Sequence, residues 1–185
     1  MDSFAELTKT ISESWIETRR FFQKRKDKGF SSAFRYLMVI AAVPVLVSIV
    51  AFFIGITVFV PFAGFGGLAL LAAVGLYILI LVSSFVNAFI MHLFVYLLGG
   101  RGYEKTYRVL VYANTPSMLL SWIPFINIIG FLWGIVNIII GFTVVHKFST
   151  GRAIAAILLP FVIAAVIALA VLAFFLIAMV SSTYV

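Results

Sequence analysis

The sequence predicts an all-α protein: a polytopic membrane helix bundle with five transmembrane helices and an N-terminal amphipathic helix. Residues 36–100 and 109–146 contain no Asp, Glu, Lys or Arg, and an apolar run of about 18 residues is already a candidate span. The composition agrees, because 64% of the residues are hydrophobic and only 10% are charged, against roughly 25% charged in soluble domains. The 185 residues therefore form a single bundle.

The charge and cysteine content exclude several classes of protein. A net charge of +7 is typical of nucleic-acid binding, but here the basic residues lie at the ends of apolar stretches, where they orient a membrane protein. We therefore expect no nucleic-acid partner. The absence of cysteine excludes disulfides, thiolate metal sites and cysteine nucleophiles. The first 35 residues lack the apolar core of a signal peptide, so the first span is expected to direct insertion.

Residues 1–33 are predicted to form a cytosolic amphipathic helix and a basic linker. Five apolar side chains fall near one face of a helix over residues 2–25: Phe4, Leu7, Ile11, Trp15 and Phe22. Three placements remain open: docking on the cytosolic end of the bundle, lying in the headgroup layer with Trp15 as anchor, or binding a partner. The linker is predicted to contact anionic lipid headgroups through Lys24, Arg25, Lys26 and Lys28.

Residues 34–182 are predicted to form the five-span membrane domain. The turns and prolines divide it into spans at about 34–60, 68–98, 107–121, 125–145 and 153–180. The third span is short and carries Pro116 in its middle, which removes one helical hydrogen bond. A regular span, a broken helix and a membrane-deep hairpin all remain open for this segment.

The distribution of basic residues predicts the orientation. With a cytosolic N-terminus, all 13 Lys and Arg fall on the cytosolic side: eight in the N-terminal segment, then Arg101, Lys105, Arg108, Lys147 and Arg152. The outer turns and the C-terminus hold none. This asymmetry predicts a protein integral to the cell membrane, with its N-terminus in the cytosol and its C-terminus outside.

Few side chains are suited to catalysis. After Asp27 the only acidic residue is Glu104, in a predicted loop, so a buried acid for proton or cation transport is missing. The Ser-His-Asp and His-Glu-x-x-His patterns are missing too. His92 and His146 are expected near the cytosolic ends of their spans as capping or headgroup contacts. We therefore predict no catalytic residue, metal or cofactor.

The uncharged polar residues inside the spans have two interpretations. Asn87, Asn114 and Asn137, with Ser83, Ser84 and Thr143, either join helices by hydrogen bonds or line a polar path. Asn114-Thr115-Pro116 interrupts a helix, as broken helices do at transporter substrate sites and where neighbours repair the break. A second pattern is a stripe of small residues for close helix packing, within one chain or between two copies: Gly130, Gly134, Asn137 and Gly141.

The order of several short motifs resembles the Yip1-domain family of five-span membrane proteins. The motifs are His92 near a span end, Leu-Leu-Gly-Gly-x-Gly at 97–102, Tyr-Ala-Asn-Thr-Pro at 112–116, His146, and Ser-Thr-Gly-Arg-Ala at 149–153. The resemblance implies that the following are family-pattern positions and not catalytic residues: Gly99, Gly100, Asn114, Pro116 and Gly151. Eukaryotic members are linked to vesicle traffic and Rab GTPases and carry an Asp-Leu-Tyr-Gly-Pro motif. This chain lacks that motif and is more similar to the short prokaryotic members.

Two functions follow from these patterns. The first is a non-enzymatic membrane protein that organises or shapes lipid or recruits partners, with a second copy of the chain or other membrane proteins as partners. Deletion of residues 2–25 should then abolish function and leave the bundle folded. The alternative is a small transporter, channel or lipid scramblase that uses the broken third span. In that case Asn114→Leu combined with Asn137→Leu should abolish flux.

Overall fold

The computed structural model describes residues 4–25, 29–59, 66–123 and 125–183, with side chains over 4–25, 29–54, 67–123 and 125–180. Within these ranges every regular element is an α-helix, which confirms the predicted all-α class. The helices are α1 (Phe4–Ile16), α2 (Thr18–Lys24), α3 (Phe30–Phe59), α4 (Gly66–Leu97), α5 (Tyr103–Ala113), α6 (Thr115–Leu120), α7 (Ile126–Val145) and α8 (Thr150–Thr183).

Four helices are long and apolar enough to cross a membrane: α3, α4, α7 and α8. They contain 30, 32, 20 and 34 residues, or lengths of about 45, 48, 30 and 51 Å. Three of them exceed a hydrocarbon core of about 30 Å, so these helices tilt or project beyond it. Four of the five predicted spans correspond to these helices.

The predicted third span differs from a regular helix. Residues 107–121 are divided between α5 and α6, which meet at Asn114, and neither piece is long enough to be a candidate span alone. Pro116 is the second residue of α6, where its missing N–H costs little. The Thr115 hydroxyl donates to the Tyr112 carbonyl at 2.8 Å, which compensates part of the broken helical bonding. Of the three alternatives, the structure has the broken helix.

Helix α5 lies at the centre of the bundle. Its residues from Thr106 to Ala113 are all buried, and it packs against α3, α4 and α7. The Tyr107 ring stacks on Phe85 at a centroid distance of 5.2 Å and lies 4.6 Å from Phe30. The short charged segment of the sequence therefore leads directly into the most buried helix of the protein.

Helices α5 and α6 run antiparallel along α7. Thr106 is 3.2 Å from His146 at the end of α7, and Pro116 lies against Gly130 near its beginning. Between them, Val109 faces Gly141 and Asn114 faces Gly134. The pairing covers about 16 residues of α7, or about 24 Å, so α5 and α6 together follow most of its length in the opposite direction.

One end of the bundle, which we call the basic end, is where α3, α5 and α8 begin and α4 and α7 end. There the Phe30 N–H donates to Glu104 Oε1 at 2.7 Å, and Gly100 packs against Phe148. The buried residues of α3 and α8 concentrate near this end, at Ala33–Val45 and Ala153–Ile157, whereas residues 161–180 of α8 are exposed throughout. The packed core is therefore strongly displaced toward the basic end.

The N-terminal segment is a bent pair of helices rather than the single helix predicted over residues 2–25. The chain bends at Glu17, and Arg25 Nη2 donates to Thr10 Oγ1 at 2.7 Å, so α2 folds back beside α1. We call α1 and α2 the N-terminal hairpin. Its tip is the segment from Trp15 to Thr18.

The hairpin docks through part of the predicted apolar face and through a row of hydroxyl side chains. Thr10, Ser14 and Thr18 are buried, together with Phe21 and Phe22. Of the predicted apolar face, Phe22 lies in the core and Leu7 and Ile11 pack against it, whereas Phe4 is 80% exposed. Of the three placements left open, the structure has docking on the bundle, without Phe4. The three hydroxyls donate to carbonyls three or four residues earlier in the chain, and Thr18 also contacts Asn137, so they are buried with their hydrogen bonds satisfied.

Candidate functional site

A polar cavity lies beside the junction of α5 and α6. Its volume is about 300 Å³, and helices α3, α4, α5 and α6 line it. The polar side chains in its wall are Ser83, Ser84, Asn87 and Asn114. On α4 these residues lie 10 to 14 positions before Leu97, or about 15 to 21 Å from the basic end. The helix break therefore opens a polar space well inside the length of a spanning helix.

The two amides, Asn87 and Asn114, are the side chains of this cavity that are available for hydrogen bonding. Ser83 and Ser84 donate to carbonyls of their own helix, at 3.1 and 2.6 Å. Within the described residues the side chains of Asn87 and Asn114 make no hydrogen bond, so their donors and acceptors are available to a solute or headgroup. The sequence marked these four residues as polar, and the tertiary structure brings them together.

Asn137 belongs to a different site. Its amide is 1% exposed, its Oδ1 lies 2.9 Å from Thr18 Oγ1, and its Nδ2 lies 3.5 Å from the Ser14 carbonyl. One helical turn away, Trp133 Nε1 donates to the Trp15 carbonyl at 3.0 Å. Asn137 thus ties the hairpin to α7 and does not share the cavity of Asn114. Thr143 donates to the Ile140 carbonyl of its own helix at 2.8 Å.

The small residues of α7 face α5 and α6 of the same chain. A Cβ on Gly130 would lie 2.9 Å from the Pro116 carbonyl oxygen, and one on Gly141 would lie 2.5 Å from Val109 Cγ1. Gly134 is less crowded, with Asn114 Oδ1 at 3.4 Å. Two of the three glycines therefore allow a close helix approach that a methyl group would prevent.

The glycines after α4 end that helix. The Gly99 N–H donates to the Tyr96 carbonyl at 2.9 Å, and the Gly100 N–H donates to the Val95 carbonyl at 2.8 Å. With Gly99 at φ +93°, this is the Schellman arrangement. Gly100 is also closely packed, because a Cβ there would lie 2.4 Å from Val95 Cγ1. Gly151 has open space around it, so its family-pattern position has no packing explanation.

Two histidines and a threonine join three helices at the basic end. Thr106 Oγ1 lies 2.8 Å from His92 Nδ1 and 3.2 Å from His146 Nε2. A hydroxyl has one proton and accepts a second, so it donates to one imidazole and accepts from the other. Within the described residues no group of three His, Cys, Asp or Glu is placed to hold a metal. Helices α4, α5 and α7 are thus linked by one shared hydroxyl.

This cluster predicts a pH dependence of stability. Burial, with smaller contributions from His92 and Lys105, lowers the pKa of His146 to about 4. Below about pH 6.5 the unfolded chain binds a proton that the folded chain does not, so stability is complete above that pH and falls toward pH 4. A pKa shift of this size sets an upper limit of about 3 kcal/mol on the resulting loss of unfolding free energy. Thermal unfolding in detergent between pH 4 and 7.5 measures the effect.

The matched variant for this prediction is His146→Gln, which keeps a polar side chain that does not titrate. Its unfolding midpoint should vary less over the same pH range than that of the unmodified chain. Equal pH dependence in the two proteins would assign the effect to other groups.

A family model described as Yip1 domain matches residues 12–182 of the chain. The matched region runs from the second half of α1 to the end of α8 and includes the cavity, the glycine contacts and the histidine cluster. The chain matches no curated protein and no solved structure.

Proposed function

The chain belongs to the Yip1-domain family, and from this premise we propose that it is a non-enzymatic integral membrane protein that organises and shapes the bilayer around it. The observation that carries the proposal is the displacement of the packed core toward the basic end. In the other half of the bundle α3 still packs on α4 and α6 on α7, but residues 161–180 of α8 are exposed throughout.

The proposed topology has five crossings, with the basic end in the cytosol of the cell. Thr106 lies at the end of α7 and Pro116 near its beginning, which supports a passage of α5 and α6 from one end of the bundle to the other. Together with the four long helices, this makes five. The Lys and Arg residues belong to the hairpin, its linker or the segments of the basic end, which supports a cytosolic N-terminus and an outer C-terminus.

The uneven packing gives the protein more cross-section in the cytosolic leaflet. At that level the hairpin, α5 and the buried parts of α3 and α8 all contribute, whereas in the outer half α8 is exposed throughout and the contacts are those of α3 with α4 and of α6 with α7. An excess of inserted volume in one leaflet favours curvature that is convex on that side, as interfacial helices do. The proposed shaping activity rests on this difference between the leaflets.

Part of the basic linker supports a contact with anionic lipid. Lys24 is exposed, and its Nζ lies 3.9 Å from Glu13 Oε1. We propose that it contacts lipid headgroups together with Lys26 and Lys28, which lie outside the described residues. Arg25 instead packs inward, with its guanidinium 4.8 Å from the centre of the Phe21 ring. We therefore leave Arg25 out of the proposed lipid contact.

Reconstitution at increasing protein-to-lipid ratio tests the shaping function. Cryo-electron microscopy should reveal smaller or tubular vesicles as the protein density rises. Deletion of residues 4–16 removes α1 and should reduce this effect, with gel filtration as the check on folding. The longer deletion of residues 2–25 is a poor test, because it removes Phe21 and Phe22 from the core. We therefore no longer expect the bundle to stay folded in that deletion. Vesicle sizes that do not depend on protein density would contradict the proposal.

The polar cavity favours a second candidate, a small transporter, channel or lipid scramblase. The observation for it is the pair of amides, Asn87 and Asn114, that line a space at the helix break. Such a space can hold the polar part of a solute or lipid within the membrane. Neither amide makes a hydrogen bond within the described residues, so a bound polar group would find partners there.

For this candidate, Asn87→Leu with Asn114→Leu should reduce flux at least about tenfold, the effect expected from losing about 1.4 kcal/mol of interaction. Dithionite quenching of a head-labelled lipid in proteoliposomes measures lipid flux, and a trapped soluble dye separates lipid crossing from leakage. Thr143→Ala is the matched control, because its hydroxyl bonds only its own helix. Asn137→Leu is unsuitable as a flux variant, since it breaks the tie to the hairpin. Quenching equal to that of empty vesicles for the unmodified chain would exclude a general lipid path.

A further inference from the structure

A groove with one charged wall and one apolar wall lies between α2 and α7. Its volume is about 560 Å³. The hairpin contributes the charged residues Glu17, Arg19 and Arg20, and α7 contributes Trp133, Val136, Ile140 and the buried Asn137. The three charged side chains are exposed, and Arg20 Nη1 lies 3.1 Å from Glu17 Oε2. The hairpin wall of the groove therefore carries a net charge of +1 and faces the largely apolar surface of α7.

The contacts of the hairpin tip set the depth of this groove. Thr18 lies at the level of Asn137, and Trp15 lies at the level of Trp133. These α7 residues precede Val145 by 8 and 12 positions, or about 12 and 18 Å. Because α7 is about 30 Å long, the hairpin tip reaches roughly the middle of the helix. This step rests on the proposed crossing of the membrane by α7.

Ionised side chains at this depth require polar surroundings. A charged group in hydrocarbon is costly, and charged residues at membrane depth face the protein interior or a hydrated cavity. Glu17 neutralises one of the two arginines, so one positive charge is left for another partner. An arginine guanidinium forms paired hydrogen bonds with phosphate, and the opposite wall of the groove is suited to an acyl chain.

We propose that the α2–α7 groove binds an anionic phospholipid, with its phosphate at Arg19 and Arg20 and its acyl chains along Val136 and Ile140. The occupant is a lipid rather than free phosphate because three of the four α7 residues that line the groove are apolar. A headgroup held here lies far below the normal level of the cytosolic leaflet, so the leaflet is thinned beside α7. The site deepens the proposed function by assigning it a lipid class and a position.

Lipid retention tests the charge of the groove. The protein is purified from vesicles containing equal amounts of phosphatidylglycerol and phosphatidylcholine, and bound lipid is counted by native mass spectrometry. Arg19→Gln with Arg20→Gln should lower the ratio of retained phosphatidylglycerol to phosphatidylcholine about tenfold. The matched control is Arg35→Gln with Arg152→Gln, which removes two exposed arginines outside the groove and should change the ratio less than about twofold. An equal change of the lipid ratio in the two double variants would overturn the proposal.

Cysteine labelling tests hydration and depth, and the cysteine-free chain makes each label unique. A membrane-impermeant maleimide should modify Val136→Cys from the cytosolic face. It should not modify Phe131→Cys, which is exposed on α7 but outside the groove. Added phosphatidylglycerol should slow labelling of Val136→Cys more than phosphatidylcholine does. An unreactive Val136→Cys would overturn the groove.

Two further variants separate this result from a failure of the proposed topology. Phe125→Cys and Ser149→Cys lie in exposed positions at the two ends of α7 and should label from opposite faces of the membrane. If they label from the same face, α7 does not cross, and both the topology and the groove inference fail. If they label from opposite faces while Val136→Cys stays unreactive, only the groove inference fails.

Discussion

Replacement of Phe22 by alanine is expected to lower the free energy of unfolding by about 3 kcal/mol, whereas Phe4→Ala should change it by less than about 0.5 kcal/mol. Phe22 is 3% exposed, packs edge-on against Phe21 at 5.3 Å and contacts the position of Gly141. Phe4 is 80% exposed. Chemical unfolding in detergent micelles, followed by circular dichroism, measures both values.

Hydrogen exchange of the hairpin provides the control for this comparison. Compared with the unmodified chain, Phe22→Ala should accelerate exchange more at the amides of residues 4–24 than at those of α5. The reason is that loss of the ring weakens docking of the hairpin before it affects the rest of the core. Equal losses of stability for Phe4→Ala and Phe22→Ala would mean that the Phe4 ring is buried against the bundle, which would contradict the structure.

The second large effect concerns the contact between α6 and α7. Gly130→Ala should cost about 1 to 3 kcal/mol, because its Cβ would lie 2.9 Å from the Pro116 carbonyl oxygen and 3.2 Å from the Ser117 Cα. Both are backbone atoms, so relief requires movement of a whole helix. The same unfolding measurement in detergent gives the value.

Two other glycines serve as matched controls. Gly75→Ala has no heavy atom within 4 Å of its Cβ, and Gly134→Ala meets only Asn114 Oδ1 and the Ala113 carbonyl oxygen at ordinary distances. Alanine favours a helix over glycine by about 0.5 to 1 kcal/mol, so both should be neutral or stabilising. A similar loss for all three variants would show that the α6–α7 contact is looser than the structure describes.

Much of the architecture could be predicted from the sequence. Long uncharged runs are sufficient to identify spanning helices, because hydrocarbon leaves the backbone no partner except itself. The motifs from His92 to Gly151 indicated the family, and that prediction is confirmed. The break at Asn114 and Pro116 was one of three alternatives, since the sequence contains no signal for how neighbouring helices respond to a missing hydrogen bond.

The candidate site was only partly predictable. The sequence placed Asn114 at a helix break and Asn137 in a stripe of small residues, but it contained no signal for the partners of either amide. The structure assigns Asn114 to the cavity and Asn137 to the hairpin. The groove at Arg19 and Arg20 was missed altogether, because those residues precede the first span and were assigned to a cytosolic helix.

The sequence by itself determined the membrane environment, the four long helices and the family of this protein. These properties depend on transfer of side chains and backbone from water to lipid, which each segment of chain undergoes largely on its own. Only the tertiary structure decided which side chains of the hairpin are buried and which polar groups meet. Contacts such as Thr18 with Asn137 join residues 119 positions apart, and hydrogen bonds between spans depend on relative helix position, which no local pattern encodes.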